Sequence, residues 1–177
     1  MTPRRASEQL VAAAVECIGS RPARVVDVGT GSGAIAVAIA TRAPHACVFA
    51  TDTSACAVAL ARENGLRHGV ADRVRVFQGD LLDPVAGSID VVVANLPYVP
   101  AGEASDYPEL AGEPAAALFA PGDGLQPYRR LLAACAERLD GDGAVFIQLH
   151  RRVLGAARAE LGDLRSRLEH VPYLAAA

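Results

Sequence analysis

The chain has 177 residues, 51% of them hydrophobic, with a formal net charge of −3. That is length for one domain, 1–177, and apolar surface enough for a sizeable core, which excludes wholesale disorder. The acidic balance supplies no global drive toward nucleic acid or an anionic membrane.

Residues 1–20 mix Arg4, Arg5, Glu8 and Glu16 with a short apolar stripe, so they suit neither a signal peptide nor a membrane span. No later run reaches 18 apolar residues, and the protein is expected to be soluble and cytoplasmic. Leu10, Val11, Ala14, Val15 and Ile18 recur at helical spacing, and Gly19 stops that N-terminal helix. Arg24–Val28 reads as a strand buried on both faces. Gly29, Gly31 and Gly33 follow at once, and Ala34–Arg42 is an alanine-rich helix closed by Pro44. Cys47–Thr51 is a second strand, and Ser54 caps a helix running to about His68, with Gly69 as its stop. Val74–Phe77 and Ile89–Ala94 are the third and fourth strands. From Asn95 to Gly124 the chain is proline-rich and aperiodic, a long substrate-side loop of the kind that is usually functional. A helix over Pro127–Leu139, a strand over Ala144–Leu149 and a helix over Arg152–Leu161 follow, with Val171–Leu174 a candidate sixth strand.

Strands alternating with helices imply a parallel α/β sheet with helices on both faces. Ligands of such sheets bind beyond the carboxyl ends of the strands. The residues to watch are therefore Gly29–Gly33, Asp52, Asp80–Leu81 and Asn95–Tyr98. The four cysteines (Cys17, Cys47, Cys56, Cys135) are scattered, and His45, His68, His150 and His170 share no ligand spacing with them. They read as reduced thiols without a metal site.

The glycine turn lets a ligand approach bare backbone, and Gly29, Gly31 and Ala34 also satisfy a dinucleotide fingerprint. Asp52 can accept hydrogen bonds from both hydroxyls of a ribose, or serve the start of the Ser54 helix. Asp80 can accept from an adenine amino group, with Leu81 covering the ring, or be a turn residue. Asn95-Leu-Pro-Tyr98 offers two converging acceptors, the Asn95 side-chain carbonyl and the Leu96 backbone carbonyl, in a turn stiffened by Pro97. Two acceptors suit a planar NH₂ group, and Tyr98 supplies a flat face for stacking.

With these residues the sequence resembles the class I S-adenosylmethionine-dependent methyltransferases, and among them the HemK/PrmC family of protein-glutamine methyltransferases. Pro3-Arg4-Arg5-Ala-Ser-Glu8 looks like that family's P-R-x-x-T-E, and Asp27–Gly33 like its D-[ILV]-G-T-G-S-G. Glu113–Leu118 and Asp123-Gly-Leu-Gln-Pro-Tyr-Arg129 look like its E-P-x-x-A-L and D-G-L-x-x-Y-R. The resemblance implies a Rossmann-like fold and S-adenosyl-L-methionine as cofactor. It implies cofactor contacts across Asp27, Gly29, Thr30, Gly31, Ser32 and Gly33, and at Asp52, Asp80, Leu81 and Asn95. Substrate contacts fall on Asn95, Leu96, Pro97 and Tyr98, with Asn95, Pro97 and Tyr98 carrying the reaction. It also implies a protein substrate, a release factor. The sequence departs from the pattern at Leu96, where the family has proline, and at Gln148–His150, where it has E-I-G. The family's helical N-terminal domain is expected to be lacking, and the closing β-hairpin to be cut short.

The reading is an N-methyltransferase acting on a glutamine side-chain amide. Its rivals are methylation of an adenine amine in RNA or DNA, which the negative charge disfavours, and a non-catalytic cofactor-binding relative. A nicotinamide dehydrogenase also fits the glycine turn but leaves Asn95–Tyr98 unexplained.

Overall fold

A computed structural model describes residues 5–100, 102 and 118–149. In chain order the elements begin with α1 (Arg5–Ile18), β1 (Ala23–Val28), α2 (Ala34–Arg42), β2 (Ala46–Asp52), α3 (Ala55–Arg67) and β3 (Val74–Gln78). After them come β4 (Ile89–Ala94), β5 (Val99–Pro100), β6 (Phe119–Ala120), α4 (Gln126–Arg138) and β7 (Leu139–Ile147).

Five strands form one parallel sheet in the order β3-β2-β1-β4-β7. The order reverses between β1 and β4, the switch point at which a crevice opens in such sheets. Alternate residues divide the core. Val25, Val91, Val93 and Phe146 face the cluster built with α1, α2 and α3. Val26, Val28, Val92, Ala94, Val145 and Ile147 face the cluster that holds Tyr128, Leu131, Leu132 and Cys135 of α4. Because β1 and β4 are covered on both sides, they are apolar almost throughout, which is why the sequence announced them.

Helix starts follow local chemistry. Ser54 caps α3, its Oγ accepting from the Ala57 N–H at 3.4 Å. Proline is tolerated in the first turn of α4, where its missing N–H would have had no helical partner.

Two expectations change. The stretch from Asn95 to Gly124 is not structureless: β5 and β6 pair in parallel, Val99↔Phe119 and Pro100↔Ala120. Two-residue strands carry no periodicity, so no pattern could reveal them. β7 starts at Leu139 rather than Ala144; the register slips between Ile89↔Leu139 and Val91↔Ala144, so Asp140–Gly143 reads as a turn in sequence. The expected helix over 152–161, the strand over 171–174, the motif's Pro3 and Arg4, residues 113–117 and His150 lie outside the described residues. No helix among the described residues is long and apolar enough to cross a membrane.

Candidate active site

Beyond the carboxyl ends of β1, β2, β3 and β4 lies one cleft of about 420 Å³. Its floor is the glycine turn after β1. The N–H groups of Gly29 and Thr30 both donate to the Thr51 carbonyl, at 2.9 and 3.0 Å, which folds the turn back onto β2. Gly29 has φ 68°, and a Cβ there would stand 2.6 Å from Leu96 Cδ2. A side chain there would be strained by that φ and would have to displace the tip of Leu96.

Asp52 closes β2 and lines the cleft. Its Oδ2 accepts from the Gly31 N–H at 2.9 Å and its Oδ1 from the Ser54 N–H at 2.9 Å. The two readings of this residue are therefore not exclusive. One carboxylate ties the glycine turn to the start of α3, and each anionic oxygen keeps acceptor capacity for a ligand hydroxyl.

Asp80 and Leu81 also line the cleft. Asp80 Oδ2 receives the Arg130 guanidinium of α4 at 2.5 Å, an exposed ion pair that leaves the other oxygen available. Leu81 has φ 46°, left-handed backbone that a leucine seldom adopts. The buried Thr51 hydroxyl donates to the Leu81 carbonyl at 2.8 Å and holds it there.

Asn95, Leu96 and Pro97 bring the end of β4 to the same cleft. The Leu96 carbonyl accepts from the Tyr128 hydroxyl at 2.8 Å. A carbonyl oxygen has two lone pairs, so this bond leaves one of them. Tyr98 packs against the α4-side core instead of lining the cleft.

Three expected cofactor contacts are turned elsewhere. Asp27 is 1% exposed; its Oδ2 accepts from the Thr30 hydroxyl at 2.6 Å and from the Ala36 N–H at 3.1 Å. It caps α2, whose N-cap residue, Gly33, has no side chain to do so. Burial pushes the Asp27 carboxyl up to about 6, against the pull of those hydrogen bonds. Thr30 faces Asp27, and Gly33 lies where a Cβ would meet Ala61 Cβ of α3 at 2.9 Å. These three support the turn from behind, whereas Gly29, Gly31 and Ser32 line the cleft. Sequence reasoning missed Thr51, Cys56 and Leu60 on the cleft wall and Arg130 at its edge. Their partners lie on other elements, and only the fold brings them together.

Residues 6–110 match the model of the methyltransferase small domain. The chain belongs to that family. Within this methyltransferase domain the strand order and the cleft agree with the class I Rossmann-like fold. The crystal structure of ribosomal protein L11 methylase from Lactobacillus delbrueckii subsp. bulgaricus superposes with a TM-score of 0.66 at 24% identity, over 92% of this chain and 70% of that one. Among curated proteins, the release factor glutamine methyltransferase of Moorella thermoacetica is 39% identical over 84% of this chain and 54% of that protein. The one from Geobacter sulfurreducens is 38% identical over 92% and 56%, and that of Bordetella pertussis 38% over 96% and 64%. The chain spans little more than half the length of the first two.

The methyl donor of such a domain is S-adenosyl-L-methionine, and the residues present suit it. The bare backbone at Gly29 and Gly31, the two-oxygen acceptor Asp52 and the apolar Leu81 fit the parts of a nucleoside with a short amino-acid tail.

Proposed function

We propose that this methyltransferase domain methylates the side-chain amide of a glutamine in a protein of the release-factor class. The observation that carries the reading is that Asn95, Leu96 and Pro97, at the end of β4, line the same cleft as the glycine turn. The 39% identity to a release factor glutamine methyltransferase supports the same acceptor. In this reading Gly29, Gly31, Ser32, Asp52, Asp80 and Leu81 hold the cofactor, which when bound supplies a methyl group already activated on a sulfonium.

An amide nitrogen is a poor nucleophile because its lone pair is delocalised. The protein's share is to orient it. The Asn95 carbonyl and the remaining lone pair of Leu96 O accept hydrogen bonds from the two amide N–H groups, which leaves the nitrogen facing the donor side of the cleft. As the N–CH₃ bond forms and the CH₃–S bond breaks, the nitrogen sheds one proton to solvent. Pro97 limits the turn, and Tyr98 anchors its far end in the core. Catalysis by positioning alone supplies large factors when reacting atoms are held in line.

The test is transfer of labelled methyl to glutamine-bearing release-factor peptides and, in parallel, to short adenine-containing RNA. Peptide methylation with none of RNA is the expected result; RNA methylation alone would replace the amide by an adenine amine. Asn95→Ala should lower turnover by about 10²–10³, the usual cost of one preorganised polar contact at a reacting centre, while S-adenosylhomocysteine still binds. Turnover equal to the parent's would remove Asn95 from the mechanism.

A further inference from the structure

No residue of the segment Asp123–Arg129 lines the cleft, yet the segment meets the proposed acceptor loop at Leu96 and at Tyr98. Tyr128 is 1% exposed, and its hydroxyl stands 2.8 Å from the Leu96 carbonyl and 2.7 Å from the Gln148 carbonyl. Four residues earlier, Gly124 has φ 84°, and a Cβ there would fall 2.2 Å from the Tyr98 carbonyl oxygen. Any larger residue would push the loop aside.

We propose that Asp123–Arg129 is a brace for the acceptor loop Asn95–Tyr98, and that the Tyr128 hydroxyl is the tie that aims the Leu96 carbonyl. The inference rests on the amide reading of that loop and adds a positioning residue to it. Hydrogen bonds to a carbonyl oxygen lie near its plane, along two lone-pair directions. A donor fixed on one direction therefore fixes where the other points. One hydroxyl proton serves two carbonyls, one from the end of β4 and one from the end of β7. The loop is thereby fastened to the rigid sheet rather than to another loop. Such a tie matters here because Pro97 has no N–H to hold the turn, and Leu96 is more mobile in backbone than a proline.

The brace is itself clamped. Asp123 Oδ1 accepts from the Leu125 N–H at 3.1 Å, and the Arg129 guanidinium spans both carboxylate oxygens, at 3.0 and 2.5 Å. Arg129 holds the Asp123 carboxyl down at about 2, so the clamp stays charged at any neutral pH. Burial pushes the Tyr128 phenol well above its ordinary range, so the shared proton is kept.

Tyr128→Phe keeps the ring and removes the tie. The expected results are amide hydrogen exchange at Leu96, Tyr98 and Val99 about tenfold faster, with β1 and β2 amides unchanged, as suits loss of one buried hydrogen bond. With a glutamine peptide, kcat should fall by about tenfold or more, while KM and the affinity for S-adenosylhomocysteine move less than about threefold. Gly124→Ala should act in the same direction. Leu132→Ala, which thins the same core without a polar link to the loop, should lower Tm but leave loop exchange and kcat near the parent's. Unchanged loop exchange in Tyr128→Phe overturns the brace. So does a loss of kcat in Leu132→Ala equal to that in Tyr128→Phe at matched stability. If the parent methylates no glutamine peptide, the amide reading fails by itself, and the exchange measurement still decides whether the brace exists.

Discussion

Asp27, the carboxylate of the glycine motif, is 1% exposed, and its cost to the fold depends on pH. Its carboxyl is raised from 3.8 to about 6, so the folded chain binds this proton more tightly than the unfolded one. The sign follows from linkage: the contribution is fully present below pH 3.8, is lost as pH rises to about 6, and stays lost above. A shift of that size corresponds to about 3 kcal/mol across the window. Asp27→Asn keeps an acceptor for Thr30 and Ala36 and does not titrate. Urea unfolding should therefore show the variant gaining on the parent by about 2–3 kcal/mol between pH 3.5 and 7. A parallel pH dependence of the two proteins would mean that Asp27 is ionised at no such cost. The same residue shows the reach of sequence reading. Its place in the glycine motif was legible, but whether it points at a ligand or at Ala36 depends on the face of β1 it occupies.

Among elements, α3 and the glycine turn are joined through Asp52. Asp52→Ala removes the acceptor of two backbone N–H groups and should destabilise the fold by about 1–3 kcal/mol, as for bonds to a charged group. It should also weaken S-adenosylhomocysteine binding beyond what the fold loses. Calorimetry on Asp52→Ala at a temperature where it remains folded separates the two effects, and unchanged affinity would take the ribose role from Asp52. The sheet was legible because β1 and β4 are continuous apolar runs between recognisable caps. The pairs Tyr128–Leu96 and Arg130–Asp80 were not, since they join residues 32 and 50 positions apart that no periodicity relates. β5 and β6 escaped for the opposite reason, being too short to have a pattern.

For the whole molecule, the strand order β3-β2-β1-β4-β7 brings the carboxyl ends of β1, β2, β3 and β4 to the same rim of the sheet. A ligand seated there touches segments from three crossovers and should stabilise the fold globally. At a concentration 100 times its Kd, S-adenosylhomocysteine should add about 2.7 kcal/mol to unfolding, read as a rise in Tm, and NAD should add nothing. A response to NAD alone would reassign the glycine turn. The shared cleft wall of Gly29 and Leu96 carries a further consequence. In the proposed reading the donor and the acceptor are held by adjoining segments, the turn after β1 and the loop after β4. Any factor by which one ligand changes the other's affinity across that shared wall is returned in equal measure. Measuring peptide affinity with and without S-adenosylhomocysteine would then read the order in which the two halves fill.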